Sequence, residues 1–176
     1  MYRLFYFSLF CITSAVGFAA CAHTDKQAAD LQDIKILEGK TYQATRLEPQ
    51  LAIKIIEKYS NYATNYPTDT ANAPKFWVKA GEVANAIGKG NEAIELWHHV
   101  LADYATKPLA AQALFMTAFA YENTLHEEAN ARRYYTQFLQ KYPTHPLAKD
   151  AQAAISNMGL SAEELVKKFE QQNQPQ

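Results

Sequence analysis

The sequence predicts an all-α protein: an α-α superhelix of about three helix-turn-helix repeats, closed by a C-terminal capping helix. Three observations predict it. A short motif recurs at a constant offset of 38 residues, each copy follows an apolar stripe with helical spacing, and no stretch alternates with period two over a useful length. The 176 residues are 48% hydrophobic and 20% charged, with 11 Tyr and 9 Phe against 6 Gly. That composition suits one domain of helices packed through large side chains. A net charge of -1 leaves no basic face for nucleic acid.

The chain opens on an address rather than on structure. Arg3 supplies a positive charge, 4–16 is apolar apart from Ser8, Thr13 and Ser14, and Gly17, Ala19 and Ala20 are small. This reads as a signal peptide over 1–20, with an apolar run short of the ~20 residues a membrane span needs. The two cysteines, Cys11 and Cys21, both lie in this region, which excludes a disulfide framework or a cysteine zinc site in the rest of the chain. Residues 21–33 are read as a linker, 34–170 as the repeat domain and 171–176 as a disordered polar tail.

The repeat is seen most clearly in Tyr104–Ala113 and Tyr142–Ala151, which share Tyr, Thr, Pro, Leu, Ala and Ala in the same register; Tyr66-Pro67-Thr68 stands one period earlier. Before each tyrosine comes a stripe: Ile55, Tyr59, Tyr62, Tyr66; then Ala93, Trp97, Val100, Tyr104; then Ala131, Tyr135, Phe138, Tyr142. Steps of four, three and four residues put each set on one face of an α-helix. Other helices precede the last two stripes. Pro74–Ile87 carries Trp77, Gly81 and Ala84 and stops at Gly88–Asn91, where Asn91 is the expected N-cap of the next helix. Leu109–Asn123 carries Leu114, Ala118 and Tyr121. The capping helix is expected over Leu160–Glu170, entered through a Ser161/Glu164 capping box after Gly159.

These positions resemble the tetratricopeptide repeat (TPR), whose consensus sets Trp, Leu, Gly and Tyr on its first helix and Ala, aromatic, Ala and Pro on its second. The middle unit has Trp77, Gly81, Ala84, Ala93 and Trp97, with Ala105 in place of the proline; the next has Leu114, Ala118, Tyr121, Ala131, Tyr135 and Pro143. The first unit is clear only in its second helix, ending at Pro67. The resemblance spans residues 45–158, at a period of 38 rather than the usual period of about 34.

Phe18-Ala19-Ala20-Cys21 resembles the bacterial lipobox, in which small residues precede a cysteine that takes the lipid and becomes the mature N-terminus; Phe18 departs from the usual Leu. Ordinary cleavage after Ala19 or Ala22 stays open beside it. Ala22, rather than Asp, favours the outer over the inner membrane in enteric bacteria. Signal, cysteine and repeats together are similar to the TPR lipoprotein of the outer-membrane β-barrel assembly machinery and to the TPR domain of the Tol–Pal-associated cell-division coordinator.

The resemblance implies a non-enzymatic protein–protein interaction scaffold. It would be lipid-anchored through Cys21 at the outer membrane, face the periplasm, and present a concave groove to another envelope protein or peptide in outer-membrane assembly or envelope maintenance. The alternative is a soluble periplasmic adaptor linked to Tol–Pal and cell division.

Carried over residue by residue, the protein-binding groove comprises Lys75, Lys79, Glu82 and Asn85 from one unit and Gln112, Phe115, Phe119 and Asn123 from the next, with Phe115 and Phe119 as apolar anchors. Val78 and Glu82 stand where chaperone-binding repeats place carboxylate-clamp residues, so that clamp is missing. No cofactor, metal or small-molecule substrate is expected. His98 and His99 are adjacent rather than one turn apart, Glu92, Glu95, Glu127 and Glu128 sit where acids suit a helix N-terminus, and no phosphate-binding glycine loop or Ser/His/Asp grouping appears.

Overall fold

A tyrosine ends a helix every 38 residues, and the same turn follows each time. The computed structural model describes residues 14–43 and 48–172, with side chains over 25–41 and 48–171. The signal segment before residue 14, the Cys21 side chain and the tail beyond residue 172 lie outside the described residues. The helices are α1 (Ser14–Gln43), α2 (Pro49–Asn65), α3 (Ala73–Ala86), α4 (Gly90–Asp103), α5 (Leu109–Asn123), α6 (Glu128–Lys141), α7 (Ala148–Asn157) and α8 (Ala162–Gln172). Among the described residues there is no strand, and none of these helices is long and apolar enough to cross a membrane.

Two units divide the chain, Met1–Leu47 and Glu48–Gln176. In the first, α1 runs helical through 21–33, the stretch expected as a linker, and on through 34–43, the stretch expected to open the repeat domain. Near its end the Thr41 hydroxyl donates to the Glu38 carbonyl at 2.7 Å. The second unit holds the repeats and begins at Glu48.

Within that unit the tyrosine turn is built from backbone. Tyr66, Tyr104 and Tyr142 each donate an amide four residues back, to the carbonyls of Tyr62, Val100 and Phe138, and each accepts on its own carbonyl from the amide three residues on, in Asp69, Lys107 and His145. The helix end is thereby satisfied without a side-chain cap. The tyrosine ring turns inward, and Tyr104 also ties one repeat to the next by donating its hydroxyl to the Pro67 carbonyl at 2.9 Å.

Every residue of the three predicted stripes is buried except Tyr142, which is half-buried. Consecutive helices from α2 to α7 pack on each other, and α3 also meets α5, as the first helices of successive repeats should. Trp97, wholly buried on α4, lies against Gly81 of α3 and donates its indole N–H to the Val78 carbonyl at 3.1 Å. A Cβ at position 81 would stand 2.6 Å from Trp97 Cε2, so the close approach of the helices requires glycine there. In the next unit Leu114, Ala118, Ala131, Tyr135 and Phe138 form the equivalent core.

One expected cap is corrected. Helix α4 starts at Gly90 with Lys89 at its N-cap, so Asn91 lies inside the first turn rather than capping it. The turn is set by packing: a Cβ at position 90 would come within 2.9 Å of Leu125 Cγ, in the α5–α6 connection. Lys89 Nζ then pairs with Glu92 Oε2 at 2.8 Å.

The α8 capping box forms as expected. The Ser161 amide donates to Glu164 Oε2 at 2.8 Å, and the Glu164 amide donates to Ser161 Oγ at 3.2 Å. Gly159, at φ +85°, makes the left-handed turn that ends α7. The packing of this end differs from that of a polar cap, because α8 leaves Val166 57% and Phe169 50% exposed.

Candidate protein-binding groove

The face shared by α3 and α5 is where the sequence reading placed a partner. Lys75 and Phe119 are exposed there, Phe119 at 38%. Met116 is half-buried beside the same helix face. Lys79 lies over the Tyr59 ring, 5.6 Å from its centroid, so that its stem is held against the α2–α3 packing.

Three of the predicted groove residues link one repeat to the next. Gln112 Nε2 donates to Glu82 Oε1 at 2.8 Å, and the Thr124 hydroxyl donates to Asn85 Oδ1 at 2.7 Å. Both bonds run from the α5 side to α3. They form a polar floor that fixes the spacing of the two helices. Burial raises the Glu82 pKa above the usual carboxylate value; the Gln112 hydrogen bond and the Lys79 charge oppose that shift without cancelling it.

Asn123 is exposed, and its side-chain amide donates to the Phe119 carbonyl of its own helix at 3.2 Å. Glu122 accepts the Tyr135 hydroxyl at 2.8 Å, which together with burial pushes the Tyr135 pKa far up.

Phe115 is half-buried. Expected as an apolar anchor of the groove, it packs into the repeat core with its ring edge-on to Tyr135 at 5.4 Å and to Phe138 at 5.5 Å. Helix α5 is apolar almost all round and buries Ala110, Ala111, Ala113, Leu114, Thr117, Ala118 and Ala120. Thr124, which donates to Asn85, is not among the residues expected from the sequence. Its only signal was a hydroxyl placed just after the helix end.

The α3–α5 surface therefore offers an apolar point at Phe119, a cation at Lys75 and a hydrogen-bonded floor. Among the described residues no group of His, Cys, Asp and Glu gathers as metal ligands would. His98 and His99 are exposed on α4; His99 stacks on Trp77 at 4.1 Å. A depression of about 480 Å³ elsewhere is lined by α6 residues alone, among them Arg132, Arg133, Thr136 and Gln137.

Comparison with known families agrees with this architecture. The tetratricopeptide repeat family matches residues 112–145, from within α5 through α6 to the turn that follows. The chain is TPR-like. In the α3–α4 unit Gly81 lies against Trp97, and in the matched unit Ala118 and Tyr135 share one buried core. TPR units mediate protein–protein interaction, and no catalytic family is indicated. No curated protein matches the chain.

Proposed function

We propose that this TPR-like chain is a non-enzymatic scaffold of the bacterial cell envelope, lipid-anchored through Cys21 at the outer membrane and facing the periplasm. Its α3–α5 face holds another envelope protein or peptide, in outer-membrane assembly or envelope maintenance. The observation that carries the binding reading is the exposure of Lys75 on α3 and Phe119 on α5, two helices tied together by Glu82–Gln112 and Asn85–Thr124. A surface tied in this way needs little reordering when a partner docks. Support for the anchor comes from the sequence: small residues before Cys21 and an apolar run behind them. Two acyl chains or more hold a protein on a membrane far longer than one.

A photo-crosslinking residue at position 119 in cells tests the binding reading. A discrete protein adduct is expected from 119 and not from Gln137 on the outer side of α6, and equal labelling from both positions would contradict it. Replacing Cys21 with Ala should move the protein from the membrane to the soluble fraction. A mature N-terminus without a diacylglyceryl cysteine would leave the soluble periplasmic adaptor as the reading.

A further inference from the structure

Helix α8 is held in place with its apolar side turned out. Lys168 Nζ donates to the Ser156 carbonyl at 3.1 Å and to Asn157 Oδ1 at 2.8 Å, which fixes that edge of the helix to the end of α7. Ala162, Leu165, Val166 and Phe169 follow at steps of three, one and three residues, making one stripe on a helical surface. Leu165, nearest the Lys168 edge, is half-buried, whereas Ala162, Val166 and Phe169 are exposed. The second edge of the stripe is acidic. Glu163 and Glu170, seven residues apart and both exposed, stand beside Val166, with Lys167 farther round the back.

From this geometry we infer that the exposed stripe of α8 is a second docking surface, for an apolar helix of another protein that carries Lys or Arg along one edge. One edge is tied to the end of α7 through Lys168, and the other, bearing Glu163 and Glu170, is exposed to a ligand helix. These two lie about 10 Å apart along the axis, two helical turns, so cations with the same spacing on the ligand would meet both. The same charges disfavour the other occupants. A second copy pairing antiparallel would set acidic edge against acidic edge. An anionic lipid surface selects helices with Lys and Arg along the polar face, whereas α8 carries Glu163, Glu164 and Glu170 against Lys167 and Lys168. This surface is independent of the α3–α5 groove.

The test uses two synthetic helical peptides with the same leucine stripe, one edged with lysines at seven-residue spacing and the other with glutamates. Each is titrated into the mature chain and followed by fluorescence anisotropy. The lysine-edged peptide should bind at least tenfold tighter, Phe169→Asp should lower its affinity at least tenfold, and Glu163→Lys with Glu170→Lys should reverse the preference. All three changes fall at exposed positions, and circular dichroism checks that the helices persist. Equal binding of the two peptides overturns the inference. So does an affinity unmoved by Phe169→Asp, a dimer in sedimentation that Phe169→Asp dissolves, or binding to phosphatidylglycerol vesicles that depends on Phe169 while neither peptide binds.

Discussion

The middle repeat and the last helix pair begin from similar amphipathic patterns and finish differently packed. In α3–α4, Trp97 is driven against a glycine and hydrogen-bonded to the opposite backbone, and every stripe residue is buried. In α7–α8 only Ala151 is buried on α7, and α8 carries Val166 and Phe169 in water. Register explains the difference. One period beyond Ala131, Tyr135 and Phe138 the chain has Phe169, Asn173 and Gln176, so the interlocking stripe does not recur. The stripe α8 does have is out of phase with the stack. An amphipathic helix joins a solenoid only when its apolar positions meet the holes left by the repeat before it.

The largest effect that would break this comparison is in the cores. Trp97→Ala and Phe138→Ala should each cost about 3–5 kcal/mol in denaturant unfolding, since both side chains are fully buried. Phe169→Ala should stay within about 0.5 kcal/mol of the parent. Similar losses at Phe138 and Phe169 would mean that α8 is part of the cooperative core after all.

Two carboxylates sharpen the comparison through pH, with opposite signs. Asp69 at the first turn is opposed by burial, but hydrogen bonds from Tyr62, from the Asn72 side chain and from the Asn72 and Ala71 amides outweigh it, leaving its pKa below 3.8. It therefore stabilises the fold above 3.8, and that stability disappears as pH falls through the lower folded value. Glu82 has a pKa raised above 4.5, so its burial favours the folded state most at low pH and the benefit is lost as pH rises through the folded value. Asp69→Ala should thus lower stability at neutral pH and flatten the acid side of the stability curve. Glu82→Gln should raise neutral-pH stability slightly while the Gln112 contact persists. Thermal melts between pH 3 and 8 check both signs.

How much was legible in the sequence follows from how narrow each constraint is. The stripes before Tyr66, Tyr104 and Tyr142 could be read because a buried face forces a period on the chain, and the structure buries all of them except half-buried Tyr142. The Ser161–Glu164 box could be read because it needs only local hydrogen bonds. The orientation of Phe115 could not, since a helix apolar nearly all round does not say which edge faces water. Nor could the Gly90 start of α4, which depends on Leu125, a residue distant in sequence. The bonds that join Glu82, Asn85 and Gln112 across the repeats were not legible either, because they depend on how α3 and α5 pack.

The smallest expected effect is local. Ser161→Ala removes one capping acceptor and should cost about 0.5–2 kcal/mol of α8 helix stability. Helicity measured by amide exchange over α8 should fall, while the global unfolding midpoint stays put. A matching drop in the global midpoint would couple α8 to the stack.

Native-state hydrogen exchange, resolved helix by helix, tests the central claim most directly. Amides of α3, α4, α5 and α6 should exchange only through global unfolding, at one common free energy, while those of α8 open locally and exchange much faster. Protection in α8 equal to that of α4 and α6 would contradict the account, because it would make the last helix pair a full member of the interlocked repeats.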